Sequence, residues 1–287
     1  MLSIFFSLIT LAWAIIPRRL ECNSPHPSDE LLTLHSNLAD GQLFTRDTFP
    51  ESVVIKTYVH IFAKNTTYEG GWLSNTTIEK QINVLNRGFD STPFRFALAG
   101  ISRNVTRLPP ATNPSMDAQM AFWFKYRQGN YRSLNLYYVS GFYGGQCTFP
   151  SMQAALESSA DFFLDGCTMG ADTTPGSSGL FGAGTTTIHE VGHWMGLLHT
   201  FHGGCSSKYG DFVADTPFES DAPSKDEQTF EVCPVGRDSC PDLPGLDPIN
   251  NYMDYTSENC RSEFTPGQID RMKSMWTLVR NVRPSSG

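Results

Sequence analysis

Alternation of apolar and polar positions marks the first strong element of the chain. Val53, Ile55, Thr57, Val59 and Ile61 alternate with Val54, Lys56, Tyr58 and His60, a period of two that predicts a strand over 53–63. The period then changes. Ile78, Ile82 and Leu85 share one face at helical spacing, and Thr76 with Glu79 three residues later reads as a capping box that opens this helix. A strand over 94–105, a helix over 116–127 and a strand over 134–139 come next. This alternation predicts a twisted, mainly parallel sheet backed by helices. Residues 141–182 are rich in Gly and Pro with little period, and read as loops with a short edge strand ahead of a helix that starts near Thr185. The last helix opens on Thr265-Pro266-Gly267-Gln268, where threonine caps, proline takes the first position and glutamine closes the box; it ends near Arg280.

The segment before residue 53 has a different texture. Residues 15–48 are rich in Pro, Ser and Asp with no sustained period until Leu31, and read as a leader, a candidate pro-segment, rather than core. Ahead of them, Leu2 to Leu11 is largely apolar and Ala12-Trp13-Ala14 is a small-x-small cleavage site, the pattern of a secretory signal cut after Ala14. No Lys or Arg precedes the apolar run, so an uncleaved anchor is the competing reading. Even extended to Ile16, the run is shorter than the ~20 residues a spanning helix needs. The expected organisation is a signal over 1–14, a leader over 15–48 and one domain over 49–287, without internal repeats.

Composition supports a secreted protein and excludes some partners. The 287 residues carry a formal net charge of −8 with no basic run, so neither nucleic acid nor an anionic membrane has an electrostatic footprint. No stable membrane association is expected, and a monomer is. Seven cysteines suit an oxidising compartment, and Asn65-Thr-Thr67, Asn75-Thr-Thr77 and Asn104-Val-Thr106 are glycosylation acceptors in any chain that enters the secretory path.

Residues 189–199, His-Glu-Val-Gly-His-Trp-Met-Gly-Leu-Leu-His, concentrate the chemistry. On a helix His189 and His193 lie one turn apart on one face, so both imidazoles can reach one zinc ion at about 2.0–2.1 Å. Glu190, about 100° round the helix, falls beside the ion, as a general base for a zinc-activated water requires. Gly196 lets the helix stop and brings His199 round as the third ligand. Three nitrogens leave one position open, which distinguishes catalytic from structural zinc. His-Glu-x-x-His alone also occurs on surface helices without metal. The extended motif is the zinc signature of the metzincins, which require a methionine-containing turn downstream; Asn251-Tyr252-Met253-Asp254-Tyr255 supplies one.

With these residues, and with Thr200-Phe201, Gly203-Gly204-Cys205 and Asp211 to Pro217 around them, the chain resembles the pappalysins, particularly their compact secreted fungal and microbial members. The likeness is dense from about 145 to 275. It implies an α+β metzincin fold of two lobes: a sheet with a backing helix and the active-site helix above, and below a loop-rich lobe with the Met-turn and a C-terminal helix. It also implies endopeptidase activity on protein or peptide substrates, and a role for Tyr255, two residues past the turn methionine, in stabilising the oxyanion. Cys205, Cys233, Cys240 and Cys260 allow three pairings. The resemblance favours Cys205–Cys240 and Cys233–Cys260, leaving Cys147 to pair with Cys167. Glu258, five residues past Met253, matches relatives that carry an acid on the specificity-pocket wall and prefer a basic residue after the scissile bond; a solvated loop glutamate is the alternative. Some relatives bind calcium in the region of Asp211 and Asp215, although a calcium site needs six to eight oxygens and solvated loop acids fit these two as well.

Cys22 is left over in the leader. It can occupy the open position on zinc and keep a zymogen silent, as in some metzincins, or form an intermolecular disulfide, or pair so that a different cysteine is free. The expectation is therefore a secreted zinc endopeptidase. The alternative is a secreted binding protein that keeps the fold without cleaving, against which an intact Glu190 argues. The physiological substrate is not written in the sequence.

Overall fold

β1 (Val53–Ala63) runs through the middle of the sheet, and its β-branched, alternating sequence suits a strand with one neighbour on each side. It pairs in parallel with β2 (Phe94–Val105) and with β3 (Leu134–Val139). β3 is buried at every residue, as expected of a strand covered on both faces. Beyond it lies β5 (Cys167–Gly170), parallel to β3, and then β4 (Gly145–Cys147), which runs antiparallel to β5 at the edge. The order is β2-β1-β3-β5-β4. The computed structural model describes residues 22–42, 49–106, 123–178, 181–220 and 233–282.

Two helices pack on one face of this sheet. α2 (Asn75–Gly88) presents Ile78, Ile82 and Leu85, and α4 (Thr185–Trp194) presents Ile188, Val191 and Trp194, to the main core. They cross closely: a Cβ on Gly88 would lie 2.5 Å from the Ile188 side chain. α2 opens earlier than the sequence pattern implies. Ser74, not Thr76, is its cap, accepting from Thr77 N at 3.1 Å.

The Gly- and Pro-rich stretch holds more order than loops and one edge strand: β4, the short helix α3 (Ala160–Leu164) and β5, with the Cys147–Cys167 disulfide joining the two strands. The helix expected over 116–127 is described only at residues 123–126, which are helical; 116–122 lie outside the described residues. So do 1–14, the expected signal.

The lower part of the molecule is held by Cys205–Cys240 and Cys233–Cys260 and by α5 (Pro266–Met275), which has the capping box of Thr265 and Gln268 and continues in one π turn, Trp276–Arg280. Arg280 is buried under the end of α4. It donates to Trp194 O at 2.9 Å and pairs with Asp165 at 3.0 Å. Asp165 in turn accepts from the Trp194 indole at 3.2 Å, so the end of α4 is tied to the C-terminal helix.

The leader departs from expectation. Residues 29–39 form α1 (Asp29–Ala39), capped by Ser28, with two acids in the first turn. Leu31 packs with Met275 and Val279 in a second apolar cluster, and His35 is buried beside Phe212 and Arg271.

Candidate active site

α4 carries the first two histidines into the interior, and both ring orientations are set by carbonyl oxygens. His189 Nδ1 lies 2.7 Å from Tyr252 O, and His193 Nδ1 lies 2.8 Å from Leu197 O. A carbonyl only accepts, so each Nδ1 carries the proton and each Nε2 presents a lone pair inward. Gly196 adopts φ +95°, which ends the helix and turns the chain back so that His199 faces the pair. His199 Nε2 then lies 3.0 Å from His193 Nε2 and 3.2 Å from His189 Nε2. Lone pairs this close repel unless a cation sits among them, so the donor set suits a metal ion.

Burial works in the same direction. It is the main cause that lowers all three histidine pKa values, to about 4 for His193 and well below the ordinary value for His189 and His199. The neighbouring imidazoles lower His189 and His199 further. Neutral imidazoles are the form that binds a metal. A fourth donor joins them: Cys22 Sγ and the three histidine nitrogens all lie within 4.8 Å of one another.

Glu190 is fully buried beside this cluster. Its carboxylate lies against the backbone of the edge strand, where a Cβ on Gly145 would come within 2.4 Å of Glu190 Cγ. Ser24 of the leader donates to Glu190 Oε2 at 3.0 Å and accepts from Cys147 N at 2.9 Å. The leader therefore runs along β4, with Asn23 N donating to Gly145 O at 2.7 Å. Tyr255 closes the opposite side. Its ring lies 4.8 Å from that of His199, and its hydroxyl donates to Cys22 O at 3.2 Å.

Below the histidines, Met253 packs against α4 so tightly that a Cβ on Gly192 would lie 2.3 Å from the sulfur. The turn that holds Met253 is fixed by the paired amides of Asn251 and Gln268, at 2.8 and 3.0 Å. Thus the structure brings His189, Glu190, His193, His199, Met253, Tyr255 and Cys22 to one place.

Other expected site residues lie elsewhere or have other partners. Glu258 does not stand free on a pocket wall; its carboxylate accepts four hydrogen bonds at the start of α4, from Ala183 N, Thr185 N, Thr185 Oγ1 and Thr186 N. Asp215 accepts from Thr265 Oγ1 at 2.7 Å and Gly267 N at 2.8 Å, holding the start of α5. Asp211 is buried, accepts from Val213 N at 3.0 Å, and has its pKa pushed up to about 8 by that burial. Asn65 and Asn75 are exposed and Asn104 is half-buried, all near the end of β1. Ser24 and the carbonyls of Tyr252 and Leu197 escaped sequence reasoning. Only Gly144-Gly145 gave a signal, since glycine at a strand marks close backbone approach.

Comparisons with known proteins agree with this geometry. A peptidase M43 family model, described as Pregnancy-associated plasma protein-A, matches residues 122–277. An extracellular metalloprotease of Pyricularia oryzae and another of Podospora anserina are each 40% identical over 278 residues, which span 92% of this chain and 91% of each relative. A solved mirolysin in complex with compound 9 is 25% identical, with TM-score 0.60, covering 78% of this chain and 92% of that one. A promirolysin mutant of Tannerella forsythia, 23% identical with TM-score 0.64 over 91% of this chain and 95% of that one, has the same fold. With the family model matched across the metal-binding helix and the Met-turn, and relatives matched over nearly the whole chain, the protein belongs to the pappalysins, the M43 metallopeptidases.

Proposed function

We propose that the protein is a secreted zinc endopeptidase that hydrolyses peptide bonds of extracellular proteins and is held latent by its own leader. The convergence of three buried histidine nitrogens beside the Glu190 carboxylate carries this reading. Its relatives' description as extracellular metalloproteases supports secretion.

His189, His193 and His199 would hold the zinc. When bound, zinc supplies Lewis acidity, which makes water acidic enough to ionise near neutral pH and polarises a substrate carbonyl. Glu190 takes the proton from the attacking water and returns it to the leaving amine. Its burial against Gly145 keeps the carboxylate aimed into the cleft. The Tyr255 hydroxyl stands over the histidines and, once free of Cys22 O, can donate to the carbonyl oxygen as negative charge develops.

In the full chain the Cys22 thiol takes the position that substrate would need, and Ser24 occupies Glu190. Residues 1–14 act as signal and 15–48 as pro-segment, leaving 49–287 as the catalytic domain. Asn65, Asn75 and Asn104 are offered as glycan sites and a monomer as the working form. Calcium is not required to explain Asp211 or Asp215, whose partners are given above.

Cleavage of a fluorogenic casein by the protein after processing of its leader, with and without chelator, tests the activity. Glu190→Ala should retain zinc and lose at least about 100-fold of the activity, since general acid–base catalysis contributes 100- to 10,000-fold; His193→Ala should lose both. Substantial hydrolysis by Glu190→Ala would overturn the mechanism.

A further inference from the structure

α4 enters the site without a cap of its own. Its N-cap is Gly184, which has no side chain to accept from the first-turn N–H groups, although such groups need acceptors when buried. Those acceptors come from 73 residues away in sequence. Glu258 Oε1 accepts from Thr185 N at 2.9 Å, Thr186 N at 3.1 Å and Thr185 Oγ1 at 2.7 Å, and Oε2 accepts from Ala183 N at 2.8 Å. We infer that Glu258 is a positioning residue for the reaction, a cap in trans that registers the active-site helix against the Met-turn segment.

Three features make the contact more than a local cap. The carboxylate's negative charge lies at the positive end of α4, where it is favourable, and it is 8% exposed, so water screens it little. Its loop is anchored: Cys260 is bonded to Cys233, and Arg261 donates both to Asp254 O and to Thr185 Oγ1, each at 3.3 Å. The same segment meets α4 at two further points, Tyr252 O on His189 and Met253 beneath Gly192. Segment 252–258 thus holds the helix at its first turn, at His189 in its middle and at Gly192 in its last turn.

The consequence for the site follows from helix geometry. His189 is four residues past Thr185, about 6 Å along the axis at 1.5 Å per residue, so fraying or tilt at the first turn is carried directly to His189 and Glu190. With the other two contacts intact, loss of the cap should loosen the site without unfolding the chain.

The inference rests on the zinc-endopeptidase reading, and its test separates the two. In the full chain carrying Cys22→Ser, which lacks the thiol over the site, Glu258→Gln keeps the shape but replaces one acceptor with an amide that opposes the N–H of Ala183; Glu258→Asp keeps the charge on a shorter arm. Zinc affinity is measured by competition with a chromophoric chelator. Cleavage is measured on paired peptides with Arg or Leu after the scissile bond. Glu258→Gln should weaken zinc binding and lower kcat by about 10-fold, the low end for residues that orient metal ligands. KM and the Arg-to-Leu ratio should stay at parental values, and Glu258→Asp should recover part of both losses. Parental zinc affinity and kcat in Glu258→Gln would overturn the inference, and a collapse of the Arg-to-Leu ratio alone would return Glu258 to a specificity pocket. Should the Cys22→Ser chain with native Glu258 bind zinc and cleave nothing, the endopeptidase reading fails, while zinc affinity still decides the role of Glu258.

Discussion

Two of the segments that touch the active-site helix hold it in opposite ways. Residues 251–265 grip α4 from below with buried, interlocked contacts: Met253 against Gly192, Tyr252 O on His189, Glu258 on the first turn, and a disulfide at Cys260. The leader covers the same helix from the cleft side with a few polar contacts, Ser24 on Glu190 and Cys22 among the histidines, on a segment that ends in the separately packed helix α1. The lower grip is built into the core, so it is permanent. The leader adds a strand-like contact at an edge and a helix on a satellite cluster, so its removal is expected to leave the catalytic core standing. Support and cover are thus assigned to different parts of one chain.

The sharpest way to break this contrast is to weaken the cover. Cys22→Ser in the chain with its leader retained should be active at once, while the parent stays latent until processed; equal activity in the two would remove the leader from regulation. Ser24→Ala tests the second contact. It frees Glu190 but leaves the thiol in place, so it should shorten the lag before activation less than Cys22→Ser does. Both variants should melt close to the parent, because neither side chain belongs to the main apolar core.

Disturbing the support should instead cost stability. Gly192→Ala places a Cβ 2.3 Å from the Met253 sulfur and 3.6 Å from Phe264, in a region where Met253 is fully buried. Overpacking of this kind costs about 1–3 kcal/mol, or roughly 2–4 °C in Tm for each kcal/mol in a domain of this size. Zinc affinity should fall with it, because the shift is passed to His189 and His193. A Gly192→Ala protein with parental Tm and zinc affinity would show that the Met-turn only fills space.

The two segments also differed in how far the sequence revealed them. The Met-turn, three ligands, Glu190 and the capping box of α5 lie within short stretches whose spacing carries their meaning, and β1, β2 and β3 begin and end where alternation does. α1 is faint in the sequence although Ser28, Asp29 and Glu30 are a good helix start, because its surroundings are rich in Pro, Ser and Asp and its apolar stripe of Leu31, Leu34 and Leu38 is short. For Glu258 the sequence offers only its offset from Met253 and nothing about the N–H groups from which it accepts. Gly184 gives no hint that its helix lacks a local cap filled from position 258. Contacts through carbonyl oxygens, such as Tyr252 O on His189, leave no trace in side-chain identity at all.

The smallest expected effect concerns the pH at which the cover lifts. His35 is buried in docked α1 with an Arg271 N–H donating to its Nδ1, and its pKa is pushed well below the ordinary value, first by burial, then by Arg271 and by His202. Docked His35 stays neutral, whereas His35 on a released leader takes up a proton below about pH 6.5. The released state therefore binds more protons, so docking is strongest above that pH and weakens as pH falls through it, by at most about tenfold per pH unit. His202, lowered mainly by burial, adds in the same direction if release exposes it. Asp211 across the same interface works the other way: pushed up to about 8 by burial, it loses its proton on exposure and so favours release as pH rises. Arg271, lowered to about 10, stays charged throughout the range. After correction for the intrinsic pH dependence of amide exchange, the protection of residues 29–39 should therefore fall as pH drops from about 6.5 to 5, where the two histidines together outweigh Asp211, and above that range Asp211 alone should make it fall as pH rises. In His35→Phe, whose ring can still lie against Phe212, the acid loss of protection should shrink or reverse; an unchanged acid slope there would mean that the leader's release is governed by groups other than His35.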